Sequence, residues 1–177
     1  MKGIIFNATE EAVVELFSAD TWDDLLAASG CTGAYTALGN YPDTELVNIV
    51  MAASEATGQT PADVMRVVGE HAFAPLADRY PEFLEGHDDV LAFIRSVNEI
   101  IHPEVLKLYP ESSPPGFDFS EVSDDAMTVT YRSARCMGAL AEGLMLGAAR
   151  HFGTPIAVEV LEGDGTAETR FRVRRAA

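Results

Sequence analysis

Apolar residues recur at helical spacing through the first hundred positions and at strand spacing in two later stretches. Ile4, Ile5, Ala12, Val13, Leu16 and Phe17 mark an N-terminal helical segment, with Asn7 as a candidate interruption. A second helix is expected from about Thr21, where Asp24 completes a capping box, to Gly30. Pro42 and Asp43 open a third, which carries Leu46, Ile49, Val50 and Ala53 and stops at Gly58. Thr60-Pro61-Ala62-Asp63 reads as a helix start: a capping hydroxyl, proline in the first turn, and an acid near the positive helix end. That helix places Val64, Val67, Val68 and His71 at helical spacing, and Pro75 is expected to kink or end it. After a short segment from Pro81 to Leu84, a longer helix is expected from about Asp88 to Lys107. Val90, Leu91, Ile94, Val97 and Ile101 line one of its sides.

Beyond Pro110 the texture changes. ESSPPGF is a proline-stiffened loop, and residues 117–122 and 126–131 alternate around Ser123-Asp124-Asp125 as a β-hairpin would. A helix is predicted from about Ser133 to Phe152. A last hairpin would pair Ile156, Val158 and Val160 with Phe171 and Val173 around Gly163-Asp164-Gly165, leaving Arg170, Arg172 and Arg174 on the solvent face. This order predicts one α+β domain over residues 1–177, with a helical N-terminal part. The C-terminal part would hold a small antiparallel sheet and a Gly-rich helix.

Composition narrows the function classes. Twenty-eight acids against twelve Lys and Arg give a net charge of -16, which repels phosphate backbones, so nucleic acid is not an expected partner. Cys31 and Cys136 are the only cysteines and form no close pair, which argues against a disulfide framework or a structural zinc site. The start lacks the apolar core of a signal peptide, and no apolar stretch approaches the roughly 20 residues that cross a bilayer. A cytoplasmic protein with no membrane association is the expectation.

Three features could carry chemistry. Of the four histidines, none falls at a metalloenzyme spacing, but His102 lies late in an apolar helix between Ile101 and Pro103. A neutral imidazole in an apolar wall suits a haem iron, and a satisfied core histidine would look the same. Pro103 is expected to bend the backbone at His102. Tyr131, Ser133 and Arg135, if extended, project to one side and offer two hydroxyls and a guanidinium fork to a carboxylate. A strand end with a capping Ser is the plainer account of the same residues. The helix CMGALAEGLMLGAARHF has Gly138, Gly143 and Gly147, which admit a helix, a sheet or a cofactor plane at close range. No nucleophile elbow, phosphate loop or carboxylate pair is present.

MKGIIFN, TWDDLL, IIHPEVLKLYP, YRSAR and AEGLMLGAARHF together resemble the H-NOX family, haem nitric oxide/oxygen-binding domains related to the sensor of soluble guanylate cyclase. The resemblance covers nearly the whole chain and is of the stand-alone bacterial type. It implies haem b, protoporphyrin IX iron, with His102 as the axial metal ligand. Tyr131, Ser133 and Arg135 would bind the propionates, and Pro115 would pack on the porphyrin and hold it out of plane. Oxygen-binding members carry a tyrosine where this chain has Leu140; Ile5, Phe73, Leu76 and Leu144 would complete an apolar pocket. An apolar wall offers no donor to the charge that builds on bound O2, which implies selectivity for NO, with CO as a second ligand. The family mechanism would have NO weaken the His102–iron bond, relax the contact with Pro115 and shift the two parts of the domain. A separate histidine kinase or cyclic-di-GMP enzyme would then read the change. A monomer without enzymatic activity is expected; a peroxidase-like haem enzyme and a haem-free interaction module are the alternatives.

Overall fold

A computed structural model describes residues 1–176. The first helix, α1 (Gly3–Leu16), runs through Asn7 without a break. The Asn7 amide, turned to donate, reaches the carbonyls of Gly3 and Tyr35 and so serves the helix end instead of breaking it. In α2 (Ala19–Ser29) the cap is Ser18, whose hydroxyl accepts from the Thr21 N–H, and the helix begins before the predicted Thr21. Left-handed Gly30 and Gly58 close α2 and α3 (Asp43–Thr57) as expected. In α4 (Pro61–Arg79), Thr60 caps the Asp63 N–H, and the helix continues past Pro75 by a further turn.

The predicted helix from Asp88 is three pieces in one rod. Asp89 caps α5 (Val90–Ser96), a π turn covers Val97–Ile101, and α6 (His102–Leu108) follows. The bend expected at His102 is displaced: His102 itself is regular helix, at φ -63° and ψ -40°. Pro103 lacks an N–H and its ring crowds the carbonyl four residues earlier. The wider turn upstream relieves that clash, and the His102 N–H bonds to the Val97 carbonyl.

Both predicted hairpins form, and they merge. Strands β1 (Gly116–Ser120), β2 (Ala126–Arg132), β3 (Ile156–Glu162) and β4 (Glu168–Arg175) make one antiparallel sheet in the order β1-β2-β4-β3. The predicted strands pair, with Val158 facing Val173 and Val160 facing Phe171. Helix α7 (Gly138–His151) starts later than Ser133, because residues 133–137 turn and Cys136 takes a left-handed φ of 55°.

The core is divided. Phe6, Trp22, Leu46 and Ile49 close an N-terminal cluster, into which Met137 is inserted from the turn before α7. Phe73, Phe93, Met127, Val129, Tyr131, Phe171 and Val173 form the second, between helices and sheet. Burial of each large side chain contributes roughly 1.5–3 kcal/mol. Between the clusters, α4 and α7 meet backbone to backbone. A Cβ on Gly143 would stand 2.1 Å from the Arg66 carbonyl oxygen, and one on Gly147 would stand 2.4 Å from that of Glu70. Gly143 and Gly147 are therefore explained by contact with α4, and Gly138 by the Thr169 side chain of β4, 2.6 Å from where its Cβ would stand; no cofactor plane is required to account for them.

Candidate functional site

The π turn, β1 and the end of β2 bring His102 and Tyr131 to either side of Phe117. The His102 and Phe117 rings stack at 5.9 Å and 26°, and Phe117 meets Tyr131 edge-on at 5.7 Å. Asn98, within the π turn, accepts the Phe117 N–H at 3.1 Å and ties the strand to the turn below His102. Phe117 and Asn98 were not singled out from the sequence. Alternation in β1 was the available signal for Phe117, since it stands opposite Tyr131 in the ladder.

His102 is unsatisfied. Its Nδ1 is buried and has no hydrogen-bond partner. Burial holds the imidazole below its usual pKa, opposed in part by the nearby Pro115 carbonyl. The ring is thus neutral, with a lone pair free to bind a metal.

Tyr131, Ser133 and Arg135 do not lie on one extended segment. Tyr131 ends in the sheet, whereas Ser133 and Arg135 occupy the turn that follows. The Tyr131 hydroxyl accepts from the Met137 N–H at 3.3 Å, and the Ser133 hydroxyl accepts from the Arg135 N–H at 3.2 Å. Among the described residues neither hydroxyl proton has an acceptor. Arg135 donates to the Ser113 carbonyl, and its Nε lies 2.9 Å from Asp43 Oδ1 as an ion pair without hydrogen-bond alignment. Asp43 also holds the chain's amino terminus at 2.8 Å. Burial pushes the Asp43 carboxyl up, but the positive charges of the amine and of Arg135 beside it outweigh that and leave the pKa below its ordinary value. Asp43 was read from the sequence only as a helix start.

Unspent hydroxyl protons, a guanidinium in a loose ion pair and an imidazole with an unpartnered Nδ1 form a set of groups of the kind a haem requires. His102 would hold the iron, and Tyr131, Ser133 and Arg135 would bind its carboxylates. Pro115, half-buried, follows Ser112 and Ser113 on the loop between α6 and β1, and the Ser112 hydroxyl is a further buried group without a partner.

The expected distal residues are divided between the two cores. Ile5 and Leu140 pack with the N-terminal cluster, and Leu140 also packs against a small cluster of Val50, Val64 and Val68. Phe73 and Leu144 belong to the sheet-side core, with Phe73 edge-on to Phe93 at 5.6 Å and to His151 at 5.7 Å. Leu76 is half-buried on α4. Among the described residues no group of His, Cys, Asp and Glu could hold a separate metal ion, and no helix is long and apolar enough to cross a membrane.

A family model described as Haem-NO-binding matches residues 2–160. An H-NOX protein from S. oneidensis, solved in its Fe(II)NO state, is 29% identical, with all of each chain covered and a TM-score of 0.90. The unliganded Fe(II) H-NOX protein from K. algicida is also 29% identical, covering 100% of this chain and 97% of that one at a TM-score of 0.87. An oxygen-binding H-NOX domain related to soluble guanylate cyclases, solved as its oxygen complex, is 26% identical, with 100% and 96% covered and a TM-score of 0.83. No curated protein matches. With a matching family model over most of its length and this α+β architecture, the chain belongs to the H-NOX, or haem-NO-binding, family.

Proposed function

We propose that this chain is a single-domain haem-based sensor of nitric oxide that does not retain O2. The half-buried, neutral His102 imidazole, whose buried Nδ1 has no hydrogen-bond partner, is the observation that carries the reading. Haem b, held by His102, would supply an iron able to bind diatomic gases. Burial keeps the imidazole unprotonated and available to the metal. Tyr131 and Ser133 donate their free hydroxyl protons to the propionates, and Arg135 adds charge while Asp43 fixes its orientation. Pro115, on the loop beside His102, would pack against the porphyrin.

Selectivity rests on Leu140, whose apolar side chain gives bound O2 no hydrogen-bond donor, whereas NO holds ferrous iron without one. Release of His102 from the iron would let α6 and the Pro115 loop move relative to the N-terminal helices. A protein partner, a histidine kinase or a cyclic-di-GMP enzyme, would read that movement. CO is expected to bind as a by-product of the same site. The shared architecture with H-NOX proteins solved with NO and with oxygen supports the gas-binding haem site, and the selectivity for NO rests on Leu140 alone.

Optical spectra of the ferrous protein with NO, CO and air test it. The expected result is a Soret shift diagnostic of histidine loss with NO, and no stable oxygen complex in air. Leu140→Tyr should gain a stable oxygen complex. A stable complex in the unmodified chain overturns the selectivity but not the haem assignment, and absence of any Soret band after haem reconstitution overturns both.

A further inference from the structure

The first residues of the chain are laid against the loop that joins α2 and α3. Lys2 and Asn40 form an isolated antiparallel bridge, Gly3 N–H donates to the Gly39 carbonyl at 2.9 Å, and Tyr41 N–H donates to that of Met1 at 2.9 Å. A Cβ on Gly3 would stand 2.0 Å from the Thr36 carbonyl oxygen, so the close approach demands glycine there. From this anchored backbone Lys2 crosses to the other half of the molecule. Its ammonium donates to the Leu38 carbonyl at 3.2 Å and to Glu111 Oε1 at 2.7 Å, and lies 4.3 Å above the Tyr109 ring. The Asn40 amide donates to the same Glu111 oxygen at 3.2 Å.

Exposed ion pairs contribute little when both side chains are free to move and water screens them. Here only one partner is free. The Lys2 side chain is 13% exposed and held by a carbonyl, a ring and a carboxylate, whereas Glu111 is 55% exposed. The grip is reflected in the Glu111 carboxyl, held at about 2, chiefly by the hydrogen bond from Lys2. Glu111 itself sits between the end of α6 and Pro115, on the segment that leads from His102 to the proline beside it.

We propose that Glu111 is a positioning residue: gripped by Lys2 and Asn40, it fixes the 109–115 segment and couples the seat of His102 to residues 36–41 and the start of α1. The inference rests on the haem-sensor reading for its signal, but the clasp itself is built from protein groups alone. When α6 moves, the 109–115 segment moves with it, and the clasp passes the displacement across the molecule. Neither end was legible as a pair from the sequence, since Lys2 and Glu111 come together only through the fold.

Glu111→Ala tests the clasp by backbone hydrogen exchange on the haem-loaded protein, with and without NO. In the unmodified chain NO should alter exchange in residues 109–115 and in 36–41. In Glu111→Ala the 109–115 response should persist and the 36–41 response should fall about fivefold, the scale of one well-held ion pair. An unchanged response at 36–41 overturns the proposal. If the chain takes up no haem, the sensor reading fails separately. The clasp is then judged on the haem-free chain, where Glu111→Ala should speed exchange at residues 38–41 about fivefold and leave α7 unaltered. No acceleration there overturns it as well.

Discussion

Two walls of this molecule are built on opposite principles. The α4–α7 wall is backbone against backbone: Gly69, Gly143 and Gly147 leave no room for a methyl group, and α7 buries most of its residues. The wall that carries His102, the π turn with α6, has no fully buried residue, although Val97 and Ile101 half-bury against the sheet core. A close-packed contact has one arrangement and transmits strain, whereas a sparsely packed segment can take more than one. The difference places the mobile element on the histidine side and the fixed frame on the side of Leu140 and Leu144.

Unfolding in urea gives the largest expected contrast. Gly143→Ala should cost about 3 kcal/mol, because its Cβ meets a carbonyl that cannot retreat without separating two helices. Ile100→Ala, on the half-exposed side of the π turn, should change stability by no more than about 0.5 kcal/mol. Equal costs would end the comparison. Hydrogen exchange sharpens it: amides in the middle of α7 should exchange about 100-fold more slowly than those of the π turn. Similar protection would mean that the histidine side is as fixed as the other.

Asp43 gives a smaller effect, visible in its pH dependence. Its folded pKa lies below the unfolded 3.8, so the stabilisation is fully present above 3.8 and is lost as pH falls through the lower folded value. Asp43→Asn should therefore flatten the acid limb of Tm against pH below that point, and leave the slope at neutral pH alone. An unaltered acid limb would mean that the Met1–Asp43–Arg135 link does not hold the site. The smallest effect is expected at Cys136, a non-glycine at φ 55°. Cys136→Gly should raise stability by about 0.5 kcal/mol in the same urea experiment, as relief of the left-handed strain exceeds the added chain entropy. A loss of stability there would show that the Cys136 side chain contributes contacts that offset its strain.

Much of the fold was legible because local signals and tertiary structure agree. Alternation set both hairpins, and the Thr60-Pro61 and Gly58 signals bounded their helices. Disagreement arose where a tertiary demand overrode a local one. Pro75 does not end α4, and the helix expected to begin at Ser133 waits until Gly138 because the chain must first turn at Cys136.

The sequence by itself determined the element order, the α+β class and the residue types able to bind a haem, because propensity, period and side-chain chemistry are local properties. The YRSAR and IIHPEV motifs carried the family resemblance in the same way. Only the tertiary structure decided which groups meet. It put Phe117 between His102 and Tyr131, set Asp43 against Arg135, and closed Lys2 on Glu111. It also set Gly143 and Gly147 of α7 against α4, and Gly138 against Thr169 of β4. Such pairings join residues far apart in the chain, and no periodicity or spacing encodes them; they follow from how the lobes pack.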